Sequence, residues 1–217
     1  MKPLDLITIG RSSVDLYGDQ IGGRLEDMGS FSKYIGGSPT NIACGTARLG
    51  LRSAVITGVG DEHMGRFIRE QLIREGVDVR GVKTDPARLA EADIDESFIA
   101  EARSIVVTGT HLSHPRTRAA VLKALDLAKK HGARTALDID YRPNLWGVAG
   151  HGEGESRFVE SAEVTAKLQS VLHLFDLIDG TEEEFHIAGG STDTLEALRN
   201  VRAVSDAVLV CKRGAKG

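Results

Sequence analysis

Four short stretches of this 217-residue chain carry side chains whose types and spacing could do chemistry. In "ALDIDYRPNLW", residues 136–146, Asp138 and Asp140 alternate and Arg142 follows ahead of a proline. Two carboxylates and a guanidinium are costly to bury unless they pair, so the stretch reads either as a ligand site or as a structural ion pair. "VLVCKRGAKG", residues 208–217, ends an apolar run in Lys212, Arg213 and Gly214, a cationic turn suited to phosphate. "SSVDLYG" offers Asp15, whose carboxylate could accept two hydrogen bonds from a polyol or simply sit in a surface turn. "YIGGSPTNIACGTARLG", residues 34–50, sets Gly36 and Gly37 before a Ser–Pro step, with Asn41 just inside the segment that follows. Paired glycines allow positive φ and close approach to the backbone. A first helical turn adds free N–H groups and partial positive charge. That combination suits a small polar ligand, or a tight strand-to-helix corner.

Two further stretches have simpler explanations. "THLSH" places His111 and His114 three residues apart, a spacing that can share a metal, but no third ligand is evident. "DGTEEEFHIAGG", residues 179–190, opens a helix with three glutamates, which the helix dipole alone favours. Dinucleotide fingerprints fail: "GRSSVDLYG" is not GxGxxG, "GVGDEHMG" has His63 at the third glycine position, and no GxxxxGK[ST] occurs.

The elements that must position these residues alternate along the chain. Apolar runs at 4–9, 53–57, 104–108, 134–139, 174–178 and 207–211 read as buried strands. Residues 38–49, 62–75, 95–102, 115–131, 157–171 and 192–200 read as helices, the first capped by Ser38, with Pro39 at its first position and Gly50 past its end. Such alternation predicts a largely parallel sheet covered on both sides, with ligands beyond the carboxyl ends of its strands. Residues 16–36 carry alternation and glycine turns and predict antiparallel strands forming a flap. Residues 80–94 pass from a strand-like start to a helix cap, and 147–156 reads as an exposed glycine-rich loop.

The totals exclude several classes. A net charge of −4 with 5% aromatic residues gives no electrostatic or stacking case for nucleic acid or an anionic membrane. Cys44 and Cys211 fall in a helix and a strand pattern and read as small buried residues rather than as a disulfide framework. No apolar run approaches membrane length, and the N-terminus enters a strand without a signal-peptide pattern, so the expectation is one cytoplasmic α/β domain.

With these pieces in order, the chain resembles the PfkB-type, ribokinase-like carbohydrate kinases over nearly its whole length. "GGSPTNIACGTARLG" is similar to the family's N-terminal signature, "GVGDEHMG" to its G-x-G-D-x-x-G element, and "DIDYRPNLW" to the D-x-N-x-R-x-x-L-W stretch of members acting on keto-deoxy sugar acids. The resemblance implies a three-layer α/β/α fold with a central, mostly parallel sheet and a small β lid, its strands contributed by about 16–36 and about 78–92. It implies ATP-dependent transfer of a phosphoryl group to the 6-hydroxyl of a sugar acid, with ATP and Mg²⁺ as cofactors and a monovalent-cation requirement left open. Asp15, Gly36, Gly37, Asn41 and Arg142 would bind the sugar. Lys212, Arg213 and Gly214 would lie toward the nucleotide. In "GTEEEF", Gly180 would take the place of the asparagine of the family's N-x-x-E element, and Glu183 would organise Mg²⁺. A homodimer through the lid is a further arrangement the resemblance leaves open. The family's G-A-G-D element, with its catalytic aspartate, matches nothing in residues 1–217, nor do further lid strands near 88–92. The expectation is therefore an incomplete lid and C-terminus, with no catalytic base in this chain and the family's aspartate falling beyond Gly217. The rival reading is a sugar-binding protein on the same fold that transfers no phosphate.

Overall fold

The computed structural model describes residues 2–84, 89–148 and 158–216. Among these residues seven parallel strands form the central sheet: β1 (Leu4–Ile9), β4 (Ser53–Val59), β5 (Val82–Thr84), β6 (Ala102–Thr108), β7 (Arg134–Asp138), β8 (Leu177–Thr181) and β9 (Val208–Lys212). Their order is β5-β4-β1-β6-β7-β8-β9. The chain winds outward from β1 to β4 and β5, then returns to the other side of β1 at β6. That reversal opens a crevice at the strand ends between β1 and β6.

Among the described residues seven helices cover the sheet: α1 (Ser38–Arg48), α2 (His63–Arg74), α3 (Glu96–Ala100), α4 (Pro115–Lys130), α5 (Ala162–Leu172), α6 (Glu182–Gly189) and α7 (Thr194–Val204). Alternation along β4 explains the three layers. Ala54 and Ile56 join the larger core with Ile105, Val121 and Leu125, whereas Val55 and Val59 pack with Ala43, Cys44, Ile68 and Leu72 beneath α1 and α2. Successive side chains of a strand point to opposite faces, so a strand apolar at every position requires cover on both.

The remaining strands, β2 (Ser13–Gly18) and β3 (Phe31–Gly36), form a separate antiparallel ribbon with Asp15 opposite Tyr34 and Tyr17 opposite Ser32. The expected flap over 16–36 is therefore a hairpin that begins earlier, at Ser13. The lid strand expected within 78–92 is corrected: Val82–Thr84 pairs parallel with β4 and extends the central sheet. Its Val82 is buried in the core under α2, and that burial draws the segment to the sheet. Residues 85–88 of the expected lid segment, 149–156 of the expected loop, and the terminal Gly217 lie outside the described residues.

Some boundaries also move. β8 starts at Leu177, three residues later than the apolar run that begins at Leu174, because Phe175 enters the core from the preceding turn. Gly37, at φ 96°, caps α1, and Ser38 is already its first helical residue. The Ser38 hydroxyl donates across the site to the Asp138 carboxylate.

Candidate functional site

The carboxyl ends of β1, β7, β8 and β9 open into one basin of about 680 Å³. Arg11 follows β1, and Ser13 and Asp15 come from the β2–β3 ribbon. Gly37, Ser38, Asn41 and Ile42 come from the start of α1. Asp138, Asp140 and Arg142 follow β7, Thr181 and Glu184 join β8 to α6, and Lys212 ends β9. Residues from positions 11 to 212 thus meet where the topology of a parallel sheet puts a ligand.

The two glycines of the opening motif make room for two of these residues. A side chain on Gly36 would run into the Asp15 carboxylate, and one on Gly37 into the Arg11 backbone carbonyl. Gly36 is itself buried and does not line the basin, whereas Gly37 does. Thr40 locks the corner by donating its hydroxyl to the carbonyls of both glycines, at 2.6 and 2.7 Å. Asn41 is left exposed on the basin wall.

Beyond β7 the charges pair. Asp140 is buried, adopts φ 38° and forms an ion pair with Arg142 at 2.9 Å. Burial is the main reason its carboxyl is pushed up to about 6; Asp138 and Glu184 add to the shift, and Arg142 and Arg11 oppose it. Lys212 bridges Asp179 at 2.6 Å and Asp138 at 3.6 Å. Burial works against the Lys212 charge, but its bond to Asp179 and the fields of Asp138 and Glu184 outweigh that and hold the ammonium above its ordinary range. Burial also raises the Asp179 carboxyl, against the pull of Lys212.

The acidic residue of α6 that reaches the basin is Glu184, in place of the expected Glu183. Glu184 closes a capping box: the Thr181 N–H donates to it at 2.7 Å, and its own N–H donates to the Thr181 hydroxyl at 3.3 Å. Its other carboxylate oxygen accepts from the Tyr141 N–H at 3.2 Å, which ties α6 to the segment after β7. The T-x-x-E spacing of a capping box is legible in the sequence and would have placed Thr181 and Glu184 one residue later in the motif. Arg213 turns out of the basin to pair with Glu182 at 3.1 Å, and Gly214 forms a left-handed turn at φ 59° that does not line it. Arg11 is the basin cation that the sequence reading did not single out. The catalytic aspartate is expected after Gly217, which itself falls outside the described residues, so that expectation has no counterpart in the basin.

His111 is buried in a turn after β6, and His114 caps α4 by accepting from the Arg116 N–H. Among the described residues no group of three or more His, Cys, Asp or Glu side chains is arranged to hold a metal ion. Nor is any helix among them long and apolar enough to cross a membrane.

A doubly covered parallel sheet thus gathers a carboxylate, an amide and several cations in one crevice at its carboxyl edge. The chain belongs to the pfkB family of carbohydrate kinases, whose family model matches residues 4–217. It is 33% identical over 250 aligned positions to the 5-dehydro-2-deoxygluconokinase of Geobacillus kaustophilus (strain HTA426), covering all of this chain and 71% of that relative. Against the enzyme of the same name from Bacillus subtilis (strain 168) the identity is 31%, again over the whole chain and 72% of the relative. The crystal structure of a PfkB protein from Polaromonas sp. JS666 superposes with a TM-score of 0.82 at 27% identity, over 99% of this chain and 78% of that one.

Proposed function

We propose that this chain forms the sugar site of an ATP-dependent kinase for 5-dehydro-2-deoxy-D-gluconate, a keto-deoxy sugar acid of inositol catabolism, phosphorylated on its 6-hydroxyl in the cytoplasm. The observation that carries the reading is the basin itself: Asp15 and Asn41, which could bind hydroxyls, line the same cavity as Arg11, Arg142 and Lys212, which could meet an anionic group. The shared name of the relatives supports the particular acid.

In this reading Asp15 accepts from the sugar hydroxyls, and Asn41 both donates and accepts, as its amide allows. Arg142 is oriented by Asp140 and meets a carboxylate or a phosphate in the fork geometry that guanidinium provides. Lys212 lies toward the transferred phosphoryl group. Phosphoryl transfer asks little more of a protein than positioning and charge neutralisation. Mg²⁺, when bound with the nucleotide, neutralises charge on the phosphates. The residues present fit such an ion, since Mg²⁺ keeps several waters and uses one or two carboxylates alongside phosphates rather than a protein cage. Glu184 is the carboxylate on α6 that would reach it, through water. No residue of 1–217 is assigned as the general base: Asp138 and Asp140 are each tied to a cation, and Asp15 is assigned to the sugar. The family's catalytic aspartate belongs beyond Gly217 in this reading.

The test is ATP-dependent phosphorylation of 5-dehydro-2-deoxygluconate beside 2-keto-3-deoxygluconate and fructose. Preference for the first acid supports the reading. Equal or better turnover of fructose would replace it with a fructose-type kinase, and tight sugar binding without any transfer would favour a sugar-binding protein on the same fold.

A further inference from the structure

Among the described residues the basin holds three cations, and their surroundings differ. Arg142 is held by Asp140 at 2.9 Å, and Lys212 is held between Asp179 and Asp138. Arg11 also lines the basin, yet among the described residues neither a hydrogen bond nor an ion pair engages its guanidinium. Its charge is felt as a field at Asp140.

Its backbone, by contrast, is fixed. Arg11 leaves the end of β1 at the centre of the sheet, and its carbonyl packs against Gly37 where a side chain would not fit. The neighbouring Ser12 hydroxyl donates to Thr57 at 2.9 Å, which fastens the same turn to β4. A main chain held on two sides thus carries an unpaired guanidinium into the cavity that Asp15 and Asn41, the groups proposed to hold sugar hydroxyls, also line.

We infer that Arg11 is the specificity-determining residue that receives the substrate's carboxylate. This rests on the sugar-acid reading above and divides the labour among its cations. Arg142 and Lys212 are already neutralised by Asp140 and by Asp138 and Asp179, so an incoming carboxylate there would meet a neighbouring carboxylate as well. At Arg11 it would gain a bidentate partner without displacing one. A site that offers an unpaired, charged donor selects for the ligand that satisfies it, more sharply than an apolar wall selects by size.

The experiment is calorimetric binding of 5-dehydro-2-deoxygluconate and of fructose to the wild type, Arg11→Ala, Arg11→Lys and Arg142→Ala. Arg11→Ala is expected to weaken the acid roughly 10- to 100-fold, in line with loss of a charge-assisted pair, with fructose affinity unchanged. Arg11→Lys should recover part of the loss, since the charge returns without the fork. Should Arg11→Ala fold poorly, Arg11→Gln serves in its place. If the wild type prefers the acid and Arg11→Ala keeps that preference, or if the preference vanishes only in Arg142→Ala, the inference is overturned while the sugar-acid reading stands. Equal weakening of both sugars by Arg11→Ala overturns it too. A wild type that binds fructose as tightly as the acid overturns the sugar-acid reading first, before any variant is measured, and this inference with it.

Discussion

The Arg142 guanidinium stands 2.9 Å from the carboxylate of Asp140, a buried residue with its backbone at φ 38°. Left-handed backbone costs most side chains about 1–2 kcal/mol, and Asp and Asn tolerate it best. Strain of this kind persists where surrounding structure over-determines it, often at functional sites. Asp140→Asn should therefore keep the fold while freeing Arg142 and raising KM for the acidic sugar. Michaelis kinetics on the two proteins decide it, and an unchanged KM would make the pair purely structural.

Asp140 also predicts a pH dependence. Its carboxyl is raised from 3.8 to about 6, chiefly by burial. Between those values the folded protein keeps a proton that the unfolded chain has released, so this residue's contribution makes stability fall as pH rises from about 4 to about 6 and leaves it level above. Asp140→Asn lacks the group. Denaturant unfolding of both proteins across that range should show the variant gaining on the wild type as pH rises, and parallel curves would contradict the assignment.

Asn41 is exposed on the basin wall. Asn41→Ala should weaken sugar binding by about 1–3 kcal/mol, the cost of leaving a ligand group unpaired, and leave the melting temperature almost unchanged. A large fall in melting temperature with sugar affinity intact would make Asn41 a residue of the helix start alone.

Gly37 combines φ 96° with direct contact against the Arg11 carbonyl. Gly37→Ala should destabilise the protein by at least the roughly 1–2 kcal/mol of left-handed strain, with more from the displaced turn. Sugar affinity should fall as well, because the same displacement moves Arg11 and Asp15. Equilibrium unfolding together with sugar titration tests both, and a neutral substitution would show that the corner has room to relax.

Lys212 neutralises two carboxylates at once. Lys212→Met should leave Asp179, already raised by burial, without its main partner and shift that carboxyl further up. The lysine is about half exposed, so the stability loss should be nearer 1–2 kcal/mol than the value for a fully buried pair. Phosphoryl transfer should fall by a larger factor than sugar binding. Equal losses in both would assign Lys212 to the sugar.

Much of the fold is legible locally. The apolar run 53–57 has to be a doubly covered strand, and the stripe of Ile68 and Leu72 has to face a core. Asp15, Asn41, Arg142 and Lys212 stand out by type and position, and the structure gathers all four in one basin. The strand at 82–84 escapes such reasoning because three residues cannot announce whether they pair with a lid or with a sheet edge; the burial of Val82 beneath α2 decides it. Glu183 and Glu184 are indistinguishable by composition, and only the rotation of α6 about its capping box turns Glu184 inward.

The sequence by itself determined the alternation of strands and helices, the side of the sheet on which chemistry could occur, and the residue types available there. These follow from periodicity, capping and turn chemistry, which act over a few neighbouring residues. Tertiary structure alone decided which charges are engaged and which remain open. Arg142 and Arg11 are both arginines just beyond strand ends, yet one is held by a carboxylate two residues away and the other, beside Gly37, is not. Pairing depends on local backbone turns such as the one at Asp140, on distances of a few ångströms between strand ends such as those of β7 and β9, and on how far burial removes each group from water. Those distances and that burial do not exist until the sheet has closed.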